Sequence, residues 1–182
     1  MEDIETARLL LRLIPPCAVH AALSGDLKAL EQDLAATVPA DLLEEPDVLR
    51  YARARLAEDA DYLPWSARAI VLKHSREMVG HVRFHSRPDP DYLRPYARGA
   101  VEFGYVVFAA HRRRGYAEEA LTGLMDWARR VHGVGRFVAS VSPANQPSTN
   151  LVAKLGFAKA GEYVDPIDGM EYVYLLDASE EP

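Results

Sequence analysis

Residues 101–121, VEFGYVVFAAHRRRGYAEEAL, decide how the chain is read. The first part alternates: Val101, Phe103, Tyr105 and Val107 fall on one face, and Glu102, Gly104, Val106 and Phe108 on the other. This predicts a strand over 100–108. The last part opens a helix predicted over 115–131. Its Ala117, Ala120, Leu121, Leu124, Ala128 and Val131 make an apolar stripe, while Glu118, Glu119, Asp126 and Arg130 face away. Between the two lies a short loop with His111, Arg112, Arg113 and Arg114, and Gly115 stands at the helix entrance. The first amides of a helix have no internal partners and carry about half a positive charge, so this junction is a ready anion site. Gly115 removes a Cβ where a phosphate must approach the backbone, and Ala117 keeps the next turn small. Arg112 and Arg114 can add charge-assisted contacts.

Working outward, residues 6–14 (TARLLLRLI) predict a first strand, ended by Pro15 and Pro16. From Pro16 to about Ala60 the pattern is helical. Leu27, Leu30 and Leu34 recur at helical spacing, as do Val48, Tyr51, Ala52 and Leu56, with Pro39 and Pro46 as separators. Residues 67–74 and 78–85 predict two strands, and 86–98 (SRPDPDYLRPYAR) a loop. After Gly133 and Gly135 come a strand from Phe137 to Val141, a short helix over 147–155 closed by Gly156, and strands over 157–164 and 170–176 with a turn at Asp168-Gly169. The order βαα, ββ, β-α-β-α-ββ predicts an α/β (α+β) fold with a mixed, mostly antiparallel central sheet flanked by helices.

At 182 residues, 49% hydrophobic and 26% charged, the chain reads as one domain over 1–182 with a sizeable core. The single Cys17 cannot form an internal bridge, which fits a reducing compartment. The chain has no apolar run of bilayer length and no signal-like N-terminus, so a cytoplasmic protein away from membranes is expected. A formal net charge of -6 argues against nucleic-acid partners, since a binder using only the Arg112–Arg114 cluster would have a short basic face in an acidic protein. No phosphate-loop or dinucleotide glycine motif is present, and the six histidines show no metal-ligand spacing, so no metal is expected.

The spacing Arg112-x-x-Gly115-x-Ala117 resembles the acyl-CoA pyrophosphate loop of the GCN5-related N-acetyltransferases (GNAT). ANQPSTNLVAKLGFAKAGE, residues 144–162, resembles the Asn-x-x-Ser…Leu-Gly-Phe segment of the branch that includes ribosomal-protein N-terminal acetyltransferases. The opening TARLLLRLI is similar to the start of that branch, so the resemblance spans nearly the whole chain in order.

The resemblance implies the acyl-CoA N-acyltransferase fold and acetyl-CoA as co-substrate. It implies that Arg112, Arg113, Arg114, Gly115, Tyr116 and Ala117 hold the pyrophosphate, and that the backbone of Val106, Val107 and Phe108 pairs with the pantetheine arm. A backbone N–H near Tyr105 or Val106 would polarise the thioester carbonyl. Glu102 matches a position that is often glutamate in this branch. It would accept the amine's proton directly or through water, or else serve as a structural ion-pair partner. Ser148 resembles the serine that can protonate the leaving thiolate, and Asn145 the asparagine that bonds the pantetheine arm. Both could equally cap the helix that Pro147 begins. Tyr163 and Tyr172 are alternative acids or wall residues.

His81 and His85 could border the acceptor pocket or be half-buried strand histidines. The stretch from Pro88 to Arg98 could shape the acceptor site or be an inert excursion. Cys17 has no neighbouring histidine, so direct transfer in a ternary complex is favoured over an acetyl-enzyme. The implied partner is an amine-bearing acceptor, a small molecule or a protein N-terminus. Family members are often dimers, and a homodimer is compatible with this chain. A catalytically inactive acyl-CoA-binding sensor or scaffold is the alternative reading.

Overall fold

In a computed structural model that describes residues 2–44, 46–165 and 169–179, the chain opens with a small hairpin, β1 (Ile4–Glu5) and β2 (Leu9–Leu13). The single strand predicted over 6–14 is broken because Thr6 closes a turn. Its N–H donates to the Leu9 carbonyl at 3.0 Å, and its Oγ1 accepts from the Leu9 N–H at 3.1 Å. The helical region resolves into α1 (Pro16–Leu23), α2 (Leu27–Leu34), a single turn α3 (Asp41–Glu44) and α4 (Asp47–Glu58). Asp26 starts α2 by accepting the Ala29 N–H at 3.0 Å, and Pro16 fits the first turn of α1, where no amide partner is needed.

Then follow β3 (Arg68–Leu72), β4 (Met78–Phe84), β5 (Val101–Val107), α5 (Tyr116–His132), β6 (Arg136–Val141), α6 (Gln146–Lys154), β7 (Ala158–Asp165) and β8 (Gly169–Asp177). Gly169 begins β8, and Asp168 of the predicted turn lies outside the described residues.

The chain divides into two compact units. One holds the residues up to Phe84 with Tyr105–Leu124, and the other holds His85–Gly104 with the residues from Met125 on. Both β5 and α5 are therefore shared, each contributing one half to each unit.

In the first unit β1, β2, β3 and β4 pair antiparallel in sequence order. Strand alternation gives β2 two apolar faces. Leu10 joins Ala69, Val71 and Met78 under α1, α2 and α4, in a core with Val19, Leu30, Leu34 and Leu49. On the other face Leu11 and Thr6 meet α5 at Gly123, where a Cβ would stand 2.5 Å from Thr6 Cγ2. The β3–β4 register slips between Ile70 and Val71, which oppose Gly80 and Met78 and leave Val79 as an extra residue. The Val79 carbonyl then accepts the Phe108 N–H at 2.9 Å, just past the second half of β5. Contact there is close: a Cβ on Gly80 would lie 2.1 Å from the Val106 carbonyl oxygen.

In the second unit the first half of β5 runs parallel to β6, with Val101 opposite Phe137 and Glu102 opposite Val138. Beyond β6 lie β8 and then β7, both antiparallel. Residues 86–98 fold back as an ordered loop. Asp89 accepts the Gly99 N–H at 2.8 Å and Arg94 Nε at 3.1 Å, and Leu93 and Ala97 are buried with Ala100, Val138 and Val173.

β5–β6 pairs parallel, as does an isolated bridge from Thr37 to Glu77, while the other strand pairs given above are antiparallel, so the fold is α+β with a mixed, mostly antiparallel arrangement of eight strands. The α5 stripe holds except at its end. Val131 is 62% exposed, because Gly133 turns the chain and Val134 folds back to the Ala128 carbonyl and is buried instead.

Candidate active site

The basic loop lies wholly in the first unit. A short 3₁₀ turn, Ala109–His111, leads from β5 to Arg112, and the Gly115 carbonyl accepts the Glu119 N–H that begins α5. Arg113 (φ 61°) and Gly115 (φ 79°) are both left-handed. For a non-glycine residue that conformation costs roughly 1–2 kcal/mol, and alternation of this kind curls successive amides into an anion-binding concavity. Arg112, Arg113 and Arg114 are exposed, Tyr116 is buried and Ala117 half-buried. Arg112 Nε also donates to the Val107 carbonyl at 3.0 Å and so fixes the loop to β5.

Arg8, just before β2, completes this loop. It donates from Nη1 to the Arg114 carbonyl at 3.0 Å and lies 4.8 Å from the centre of the Tyr116 ring. Its Nη2 would stand 3.3 Å from a Cβ on Gly115. Glu119, on the first turn of α5, clasps it: Oε2 accepts Arg8 Nε at 2.6 Å, while Oε1 accepts the Arg8 N–H and the Thr6 hydroxyl, each at 2.6 Å.

Burial raises the Glu119 carboxyl, but the Thr6 hydroxyl, the Arg8 amide and the Arg8 guanidinium outweigh it and hold the group below the usual range. A carboxylate depressed in the folded state stabilises above its unfolded pKa, near 4.3, and loses that contribution as pH falls through the folded value. The melting temperature of Glu119→Gln should therefore lie below that of the parent at pH 7, with the gap closing toward pH 3. A gap independent of pH would contradict the clasp.

The four central-strand residues divide by strand alternation. The Phe108 N–H is given to Val79, and the Val106 carbonyl faces Gly80, so these two present their backbone to β4. The backbone of Tyr105 and Val107 is turned to the opposite edge. A pantetheine arm pairing with Val106, Val107 and Phe108 as expected would meet a Phe108 amide already given to Val79 and a Val107 carbonyl already accepting from Arg112 Nε.

Glu102 lies in the second unit on the first half of β5, with its side chain 6% exposed. Ser140 of β6 donates its hydroxyl to Oε1 at 2.5 Å, His85 Nδ1 stands 3.3 Å from Oε2, and Tyr92 adds a third hydrogen bond. Burial raises this carboxyl most, but the hydrogen bond and charge of His85, then Ser140 and Tyr92, together leave it below its ordinary value. It is thus a buried anion satisfied by three donors. Glu102 is legible in the sequence, whereas its bonds to Ser140, His85 and Tyr92 are not. Tyr92 reaches it from the 86–98 loop and so ties that stretch to the Glu102 carboxylate.

Asn145 caps α6, accepting the Ser148 N–H at 3.2 Å, which makes the capping role of Asn145 explicit. Tyr163 donates to Glu171 Oε2 at 2.7 Å, and burial and that bond push its phenol upward, making it a weaker acid. The Tyr172 ring lies 3.4 Å from Lys159 Nζ. His81 is a buried strand histidine, lowered to about 4 by burial and by Arg83. Cys17 is exposed, with its thiol pushed up by Asp33 and then by burial.

Among the described residues no group of three His, Cys, Asp or Glu is placed to hold a metal ion, and no helix is long and apolar enough to cross a membrane.

The acetyltransferase (GNAT) domain family matches residues 26–158. An uncharacterised N-acetyltransferase of Bacillus subtilis, YjdG, is 30% identical over 167 residues, covering 88% of this chain and 94% of its own. The ribosomal protein uS5-alanine N-acetyltransferase of Escherichia coli is 33% identical over 85 residues, 46% of this chain and 44% of its own. Among solved structures, a ribosomal-protein-S5-alanine acetyltransferase from Vibrio fischeri superposes with a TM-score of 0.67 at 19% identity, covering 100% of both chains. With the strand–loop–helix junction and the strand arrangement described above, these matches make the chain a member of the GNAT family, an N-acetyltransferase.

Proposed function

We propose that this enzyme moves the acetyl group of acetyl-CoA directly to a primary amine, either a protein N-terminus or a small molecule, in a ternary complex. The observation that carries this reading is the buried Glu102 carboxylate, kept ionised by Ser140, His85 and Tyr92. An alkyl ammonium has a pKa of roughly 10, so the acceptor must give up a proton before it can attack, and a fixed anion favours that step. The partial match to a ribosomal-protein alanine N-acetyltransferase makes a protein N-terminus one natural acceptor.

The residues of the basic loop fit the pyrophosphate of acetyl-CoA. The left-handed turns at Arg113 and Gly115, the start of α5 and the exposed Arg112, Arg113 and Arg114 supply amides and positive charge, with Tyr116 and Ala117 on the first turn. The backbone of Val106, Val107 and Phe108 would line the pantetheine arm, and an amide near Tyr105 or Val106 would polarise the thioester carbonyl. Asn145 and Ser148 at the start of α6 would contact the same arm, with the Ser148 hydroxyl available to the leaving thiolate. The raised thiol of Cys17 favours direct transfer over an acetyl-enzyme. The lone cysteine and the acidic balance fit a reducing, cytoplasmic setting without nucleic-acid partners.

The test is amine-dependent release of free thiol from acetyl-CoA across a panel of amines and N-terminal peptides. Arg112→Ala/Arg114→Ala should raise the KM for acetyl-CoA roughly 10- to 100-fold with little change in kcat, the loss of about one to two charge-assisted contacts. Binding of acetyl-CoA without thiol release for any acceptor would favour an inactive sensor, and absence of binding would sink the proposal.

A further inference from the structure

The imidazole of His85 lies along β5. Its backbone N–H donates to the Glu102 carbonyl at 2.8 Å, and its Nδ1 is 3.3 Å from Glu102 Oε2. Its other nitrogen, Nε2, sits 2.6 Å from the place a Cβ on Gly104 would occupy. Glu102 and Gly104 are two residues apart and share a face, and the ring lies between their two positions on it. One nitrogen is on the carboxylate and the other is over the glycine whose missing side chain makes the room. The His85 side chain is 29% exposed against 6% for Glu102, so the imidazole is the more accessible end of the pair.

We propose that His85 is the catalytic base that takes the proton from the acceptor amine, and that Glu102 is the positioning residue that orients its ring and offsets the charge it gains. This rests on the acetyl-transfer reading above. A neutral imidazole donating from Nδ1 to a carboxylate carries its lone pair on Nε2. An imidazole is by its chemistry a stronger base than a carboxylate, so of the two side-chain types it is better suited to take a proton from an ammonium. Both Glu102 oxygens, meanwhile, are already engaged by donors.

The proton account closes. The ammonium gives one proton to His85 Nε2, which passes it to water. The amine lone pair forms the C–N bond as the C–S bond breaks, and the second nitrogen proton goes to the thiolate. The titratable groups around the pair are Glu102 itself on β5, Tyr92 from the Asp91–Leu93 turn, which hydrogen-bonds Glu102, and Tyr163 on β7, whose phenol the Glu102 charge raises.

The full-length enzyme decides the matter through ¹⁵N NMR of the His85 ring and pH–rate profiles of parent, His85→Gln, His85→Ala and Gly104→Ala. The parent ring should carry its proton on Nδ1. His85→Gln should lower kcat about 100-fold, leave acetyl-CoA affinity within about twofold and remove the acidic limb of the profile. His85→Ala should regain about tenfold activity with added imidazole, and Gly104→Ala, which pushes the ring aside without changing any ionisable group, should lower kcat with the fold intact. A His85→Gln enzyme within about threefold of the parent with the same acidic limb, or a parent ring protonated on Nε2 alone, overturns the proposal while leaving acetyl transfer standing. A parent enzyme that releases no thiol with any acceptor instead removes the acetyl-transfer reading, and the role of His85 with it.

Discussion

Replacing Glu102 by glutamine should lower kcat for acetyl transfer by up to about 100-fold, as much as losing the base that it orients. Acetyl-CoA affinity should stay within about twofold. The carboxylate accepts on both oxygens, from Ser140 at Oε1 and His85 at Oε2. A side-chain amide has one acceptor and one donor, so one of those partners must then face an N–H. Either Ser140 must turn its hydroxyl away or His85 must shift its proton to Nε2 or rotate. In either case the site loses its negative charge, and in the second it loses its defined imidazole as well. Steady-state kinetics with a binding titration separate this from a folding defect. A variant that keeps kcat within about threefold would return Glu102 to a structural role.

Gly80→Ala should be the most destabilising single methyl added to the first unit. The new carbon would lie 2.1 Å from the Val106 carbonyl oxygen and 3.0 Å from Val107 Cα, both backbone atoms that cannot swing aside. The strands must separate, putting at risk the bond from Phe108 to Val79. Overpacking of this kind costs about 3 kcal/mol, which for a chain of this size lowers Tm by about 6–12 °C. Gly104→Ala is the useful contrast, since its added carbon meets only the end of the His85 imidazole. Equal melting temperatures for the two variants would contradict this account.

The elements that the sequence made legible were those with strong periodicity. Strand β5 and helix α5 fall within a residue or two of their predicted ends, because alternation and a helical stripe meet there at Gly115. The hairpin at Thr6 was not legible, because its turn uses a threonine hydroxyl and neither glycine nor proline. The 86–98 loop looked aperiodic because its order comes from Asp89 bonds and from Leu93 and Ala97, two buried positions that are too few to set a period.

The site followed the same rule. The basic loop is contiguous and could be read, whereas Arg8 reaches it from 111 residues before its partner Glu119. Ser140 lies 38 residues from Glu102, and nothing local announces that pairing. For Arg8 a faint signal existed in the opening TARLLLRLI segment, but not what the arginine would hold.

The sharing of β5 and α5 bears on how this protein can be cut, trimmed or recombined. Neither unit is a continuous piece of chain: the first needs Tyr105–Leu124 as well as everything up to Phe84, and the second needs His85–Gly104 as well as everything after Met125. A protease that nicks the exposed Tyr92 region separates fragments that each carry part of both units. A gene fusion that swaps the N-terminal half would likewise replace the Arg8 end of the anion loop while keeping its arginines. Insertions in either shared element are felt on both sides at once, so variation tolerated by this architecture is channelled into the loops between them.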